Sequence, residues 1–385
     1  MIESRKPLFS LPDGLHYLNC AYMSPTPTSV QDIGMAAVRR KADPSQIVPD
    51  DFFRDGERVR RLFAQLVHAA DPARIAIVPS ASYGLAVAAR NTPVARGQRI
   101  VLLHEQFPSN VYAWRRLGDD VGADLHTVMP PEDETGRARA WNDRLLEAID
   151  ETTAIVALPQ VHWTDGTRFD LEAIGARARE VGAALIVDGT QSVGAMPFDI
   201  ERIRPDALVC AGYKWLLGPY SIGVAYLGAR YDDGVPLEEN WISRLGSEDF
   251  RGLVSYQQRY QPGAMRYDVG ERSNFILVPM LARALELVLE WTPEAVQAHC
   301  DALTRPLFDE LRALGYRVGD AREHAAHLFG IRVPERLDVP GLQRLLQQRQ
   351  VSVSARGSAI RVSPHLYNDA SDVEALLEVL RAAAR

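Results

Sequence analysis

Cysteine is scarce in this sequence. Three in 385 residues (Cys20, Cys210, Cys300) is an odd number in a long chain, which argues against a disulfide framework and for a reducing compartment. Long apolar runs are missing too. None approaches the roughly 18 to 20 residues of a membrane span, and the opening MIESRKPLFSLPDG lacks the hydrophobic region of a signal peptide. The expected location is the cytoplasm, with no membrane partner. Nor is there a basic excess: 43 Lys and Arg stand against 50 Asp and Glu. The clusters Arg39-Arg40-Lys41 and Arg58 to Arg61 fall on helix-like segments as solvated faces. That balance lacks the electrostatic footprint of a nucleic-acid binder. There is no internal repeat and no low-complexity tract, and no metal site is expected.

What is present is a rhythm. Short continuous apolar runs recur at Ile75 to Val78, Ile100 to Leu103, Leu125 to Met129, Ala154 to Leu158, Ala184 to Val187, Ala207 to Cys210 and Ile222 to Tyr226. Unbroken runs mark strands buried on both faces. Helical candidates lie between most of them, such as Leu171 to Val181. The pattern predicts an α/β fold, a mainly parallel sheet covered by helices, with the last two runs as possible antiparallel neighbours. From about residue 276 the rhythm changes to a smaller C-terminal α+β domain. It has helices at Val278 to Trp291, Pro293 to Leu314, Val339 to Gln348 and Ser371 to Ala384. Its strands are expected at Leu328 to Val333, 351–353 and 359–362. The expected division is an arm over 1–30, a large domain over 31–275 and a small domain over 276–385. The arm packs with the small domain or a partner subunit.

In an open α/β sheet, ligands bind outside the carboxyl ends of the strands, so the residues that follow each strand carry the functional signal. After the first comes Ser80-Ala-Ser-Tyr-Gly84, a turn opening a helix whose free N–H groups suit a phosphate. Asp188-Gly-Thr-Gln-Ser192 follows the fifth, and Ala211-Gly-Tyr-Lys214 the sixth. Lysine is among the residues least often fully buried. Lys214, between a buried strand and Trp-Leu-Leu, is either a snorkelling side chain or a functional one. A carboxylate for a pyridine ring, a lysine for a carbonyl and a phosphate cup are together what pyridoxal 5'-phosphate (PLP) needs.

Four motifs carry a resemblance: "VDGTQSVG" (187–194), "AGYKWLLGPYSIG" (211–223), "RYDVGERSNF" (266–275) and "IRVSPHLYND" (360–369). Each is weak alone. In this order, with 26 residues from Asp188 to Lys214, they make nearly the whole chain resemble the class V aminotransferases of PLP fold type I. That group includes cysteine desulfurases, kynureninases and isopenicillin N epimerase-like proteins. The resemblance implies Lys214 as the Schiff-base lysine, which later moves protons at the substrate's α-carbon. It implies Asp188 on the pyridine nitrogen and Gln191 on the phenolic oxygen. Ala81 and Ser82 match the phosphate cup, Tyr213 a phosphate ligand and Phe107 the ring stacked on the cofactor. His162-Trp163 fall where the family surrounds the ring and substrate; a packed Trp with a satisfied His is the alternative. Arg361 matches the arginine on the substrate carboxylate, a two-pronged task that lysine does poorly. Asn19, in the arm segment LHYLNCAYMSP, is expected to line the substrate cleft. The resemblance also implies a homodimer with its active site at the interface.

Two departures matter. The family's threonine after Gly270 is replaced by Glu271, and an acid there would repel the partner's phosphate unless Arg272 or Arg266 compensates. The loop Gln347 to Gly357 lacks the nucleophilic cysteine of desulfurases, which argues against that activity. The expected function is a PLP enzyme on a small amino acid, aminotransferase-like, or else a β-lyase (C–S lyase or kynureninase-like) or an epimerase. A PLP-binding sensor has no readout module to serve, and a nicotinamide enzyme would need a Gly-x-Gly-x-x-Gly that the first strand lacks.

Overall fold

The computed structural model describes residues 4–132, 136–334, 337, 339–356 and 359–384. The arm holds β1 (His16–Tyr17), followed by α1 (Thr28–Arg40) and α2 (Asp51–Leu66). Alternation then begins with β2 (Ile75–Val78), α3 (Ala81–Asn91), β3 (Arg99–Leu103), α4 (Ser109–Val121), β4 (Asp124–Val128) and α5 (Arg137–Ala148). It continues with β5 (Thr153–Pro159), α6 (Leu171–Glu180), β6 (Ala184–Asp188), α7 (Ile200–Ile203), β7 (Ala207–Ala211) and β8 (Gly223–Leu227).

Strands β2 to β8 form one sheet in the order β2-β8-β7-β6-β5-β3-β4. The pairs from β4 across to β7 are parallel, and β8 runs antiparallel to both β7 and β2. The expected antiparallel pair is therefore present, but β2 joins the sheet at its edge beside the reversed strand. Apolar runs identify strands; they do not name neighbours. Alternate residues of β2 feed opposite faces: Ile75 and Ile77 enter the core with Val59 and Phe63 of α2, while Ala76 and Val78 pack with Leu85 of α3 and Trp114 of α4. Covered on both sides, the strands have no use for polar alternation. Because β8 alone is reversed, the carboxyl ends of the others collect on one edge.

Beyond β8, α8 (Leu277–Trp291) lies against α1 and α2. The single helix expected over 293–314 is two, α9 (Pro293–Thr304) and α10 (Leu307–Ala313), with Pro306 at the break. Proline has no N–H to continue a helix and clashes with the preceding turn. Then come β9 (Phe329–Arg332), α11 (Val339–Gln348), β10 (Val351–Ser352), β11 (Ser354–Arg356), β12 (Ala359–Val362) and α12 (Ala370–Ala384). The strand expected at 351–353 is β10, and β11 is an additional strand directly after it. β10 pairs with β1 of the arm, whereas β11 turns into an antiparallel sheet of order β11-β12-β9. This sheet has its own core, including Phe308, Phe329, Ile331, Leu342, Ile360 and Leu376, and Leu18 of the arm is buried in it. The arm then crosses to the large sheet, where the Ser24 N–H donates to the Tyr213 carbonyl at 3.1 Å. Among the described residues no helix is long and apolar enough to cross a membrane.

Candidate active site

The turns after β2, β6 and β7 bring Ser80, Ala81, Ser82, Asp188, Gln191, Tyr213 and Lys214 around one cavity of about 270 Å3. Phe107, Asn110, Trp163 and Tyr220 complete its wall. Gly194, one turn behind, has φ +99°, and a Cβ there would run into the Trp215 carbonyl. The close approach of these two loops fixes the segment that carries Lys214.

Lys214 is 5% exposed and has no carboxylate at salt-bridge distance among the described residues. Its Nζ stands 5.3 Å from the centroid of Phe107 and 5.5 Å from that of Tyr213. Burial pulls the amine down to about 8; Asp188 opposes this, and the positive charges of Arg361 and Arg356 add to it. The neutral, nucleophilic amine is therefore far more accessible near neutral pH than in a solvated lysine. A snorkelling lysine would have reached water.

Asp188 ends β6, buried, and its Oδ1 accepts the Thr190 N–H at 3.0 Å, a local turn typical of aspartate. Burial pushes its carboxyl above the usual carboxylate range despite that bond. Ser80 caps α3 by accepting the Tyr83 N–H at 3.2 Å. The first-turn N–H groups of Ala81 and Ser82 have no partner within the helix, and both residues line the cavity. Phe107 meets Trp163 edge-on, with ring centroids 5.4 Å apart. Tyr213 packs on Tyr220 at 4.5 Å. Gln191 is buried, its Nε2 donating to the Ala21 carbonyl and its Oε1 accepting the Trp215 N–H. One amide N–H remains for a ligand.

Three expected residues lie outside the cavity lining. His162 is turned away, because Trp163 takes the inward position after β5. Its Nε2–H donates to the His104 carbonyl at 3.1 Å, and its Nδ1 accepts from the Thr164 hydroxyl at 2.7 Å. Burial lowers its pKa, and both ring nitrogens have partners, as in the satisfied-histidine alternative. Asn19 is buried where the arm meets β11, its Oδ1 accepting the Ser354 hydroxyl at 2.7 Å. Arg361, on β12 and 1% exposed, donates from Nη1 to the Trp163 carbonyl at 2.8 Å; its Nε and Nη2 are buried without a partner.

Glu271 is exposed in a left-handed backbone conformation, φ +59°. Of the two arginines weighed against it, Arg272 lies 3.1 Å from Asp268, and Arg266 stands over the Tyr260 ring. All three cysteines are buried and unpaired, and none lines the cavity. The loop from 347 has no cysteine, and its end, Gly357, lies outside the described residues. Sequence reasoning did not single out Thr190, Tyr220 or Arg356. The Asp-x-Thr turn signalled the first; the other two depend on chain segments that meet only in the fold.

The family described as aminotransferase class-V matches residues 49–376. The chain belongs to the class V aminotransferase family. Isopenicillin N epimerase of Streptomyces clavuligerus is 24% identical over 339 residues, covering 84% of this chain and 83% of that protein. A probable cysteine desulfurase of Pseudomonas putida (strain KT2440) is 28% identical over 343 residues, covering 84% and 81%. A solved variant of C-DES, with glycine covalently linked to its PLP cofactor, has a TM-score of 0.85 at 18% identity over 98% of both chains. That likeness is one of fold. The cofactor of this class V protein is pyridoxal 5'-phosphate. The cavity fits it, with a buried unpaired amine, a buried carboxyl short of a cation and two free helix N–H groups on one wall.

Proposed function

We propose that this protein is a PLP-dependent enzyme acting on an α-amino acid, with Lys214 holding the cofactor through a Schiff base. The observation that carries the reading is the buried Lys214 amine, unpaired and pulled down to about 8, in a cavity shared with Asp188. When bound, the cofactor supplies a sink for the electron pair left at the substrate's α-carbon. The chain does the rest. Asp188 keeps the pyridine nitrogen protonated, Ala81 and Ser82 with Tyr213 hold the phosphate, and Gln191 donates to the phenolic oxygen. Phe107 and Trp163 cover the ring and exclude water. Arg361 takes the α-carboxylate on its two free nitrogens, and Lys214 moves the proton at the α-carbon.

The reaction we favour is aminotransferase-like, with β-elimination or epimerisation as the alternatives. Cysteine desulfuration is disfavoured, because all three thiols are buried off the cavity and burial pushes that of Cys20 up to about 12. The same unpaired thiols support a reducing compartment, the cytoplasm. We also read the working form as a homodimer. Tyr220, on the cavity wall, is 62% exposed, and Tyr22, whose charge acts on Tyr213, is 58% exposed. A partner subunit would cover them. His162 and Asn19 act at one remove in this reading, fixing Trp163 and β11.

The test is a panel of amino acids added to the holoenzyme, with cofactor absorbance and products followed together. At least one amino acid is expected to perturb the absorbance and yield keto acid, sulfide or racemised substrate. No response from any of them would contradict the proposal.

A further inference from the structure

We propose that Arg356 forms a second anion-binding subsite, so that the preferred substrate is an amino acid whose side chain ends in an acidic group. This rests on the reading of the cavity as an amino-acid site.

Register puts Ser354 opposite Arg361 and Arg356 opposite Ala359 in the β11–β12 pair. Opposed residues share a face, as do alternate residues along a strand, so both arginines project from the same side of the hairpin. Both converge on one ring. The guanidinium carbon of Arg356 is 5.1 Å from the Trp163 centroid, and that of Arg361 is 6.0 Å away. The ring is pinned, since its N–H donates to the Glu105 carbonyl at 2.6 Å.

Trp163 is a partition. It lines the cofactor cavity and also a neighbouring cavity of about 480 Å3, and Arg356 lines the second. An amino acid held at Arg361 by its α-carboxylate could therefore extend past the indole edge toward Arg356.

The charges leave a gap there. Among the described residues neither arginine has a carboxylate within salt-bridge distance. Arg356 donates from Nη1 to the Ala355 carbonyl at 2.7 Å, and its Nε is buried without a partner. Three acids line the second cavity, Glu105, Asp165 and Glu323, and none forms an ion pair with Arg356 among the described residues. Asp165 accepts from both the N–H and the hydroxyl of Thr167, and Glu323 accepts the Ala138 N–H. Two cations are thus held near one ring, neither of them in an ion pair among the described residues. Burial, and then the charge of Arg356, bring Arg361 down to about 9. A ligand with two acidic ends would relieve the repulsion and fill the unmade hydrogen bonds. One with a neutral end would leave Arg356 partly desolvated and unpaired, which is how such sites discriminate.

The experiment uses calorimetry on the holoenzyme with two probes, glutarate and the one-ended acid valerate. Glutarate is expected to bind about tenfold tighter or more, the scale of one charge-assisted hydrogen bond. Arg356→Ala should erase that preference, Arg356→Lys should keep part of it, and Arg361→Ala should weaken both acids. In turnover, the kcat/KM ratio of glutamate to glutamine, or aspartate to asparagine, should fall by a similar factor in Arg356→Ala. Equal binding of the two acids, or an undiminished preference in Arg356→Ala, would overturn the subsite while leaving the amino-acid reading intact. Failure of both acids to bind, with no amino acid perturbing the cofactor, would overturn both.

Discussion

The Lys214 amine faces the Phe107 ring, with Nζ 5.3 Å from its centroid. Cation–π attraction of this kind stabilises the charged form by about 0.5–2 kcal/mol. Desolvation acts the other way and wins: the amine falls from 10.5 to about 8, a net preference for the neutral form of about 3 kcal/mol. The aromatic box around Lys214 therefore makes a nucleophile.

That shift has a pH signature in the cofactor-free protein. The unfolded chain binds more protons than the native one between pH 8 and 10.5, so stability due to this group rises with pH across that window. Below pH 8 both states are protonated and the folded state carries the full cost of a buried charge. Relative to Lys214→Met, the cofactor-free protein should be less stable by about 3 kcal/mol at neutral pH, with the deficit shrinking toward pH 10. Chemical denaturation at several pH values checks this; a deficit independent of pH would count against it.

Asp188→Asn should keep cofactor and lose most turnover. An amide fills the same space and still accepts the Thr190 N–H, but it cannot balance a protonated ring nitrogen. Bound cofactor, released by alkali and measured against kcat, separates the two effects. Unchanged kcat would assign Asp188 to structure alone.

The strands were legible because both faces of the sheet are covered, so apolar runs such as Ala184 to Val187 carry no polar interruptions. Neighbours were not, since the place of β2 beside β8 is decided by long-range pairing. Convergence of Lys214, Asp188, Ser82 and Phe107 on one cavity followed from strand ends alone. The orientation of His162 was not legible, for the opposite reason. Past the end of β5 the backbone is irregular, and which of His162 and Trp163 faces inward depends on the hydrogen bonds to residues 104 and 105. Arg356 carried no local signal, because its setting is a cross-strand register with Arg361 and a ring from the other sheet.

Arg361→Ala should cost kcat/KM on the order of 2–5 kcal/mol, roughly 30-fold to several-thousand-fold. Arg361→Lys keeps the charge and loses the fork, so it should recover only part. Cofactor absorbance and melting temperature should stay close to wild type. A kcat/KM within about threefold of wild type for Arg361→Ala would remove the carboxylate clamp from the account.

Gly194→Ala tests the loop that positions Lys214. Its φ of +99° is one that residues with a Cβ rarely adopt, and the added methyl meets the Trp215 carbonyl. A loss of about 1–3 kcal/mol in stability is expected, together with weaker cofactor retention. A variant as stable as wild type would mean that the loop has room to shift.

The central claim is that Lys214 holds the cofactor. Borohydride reduction of the holoprotein, followed by peptide mass spectrometry, tests it most directly. The account predicts loss of the visible absorbance and a reduced pyridoxyl adduct on the peptide containing Lys214, with no adduct in Lys214→Ala. An adduct on any other lysine, or one that persists in Lys214→Ala, would contradict it.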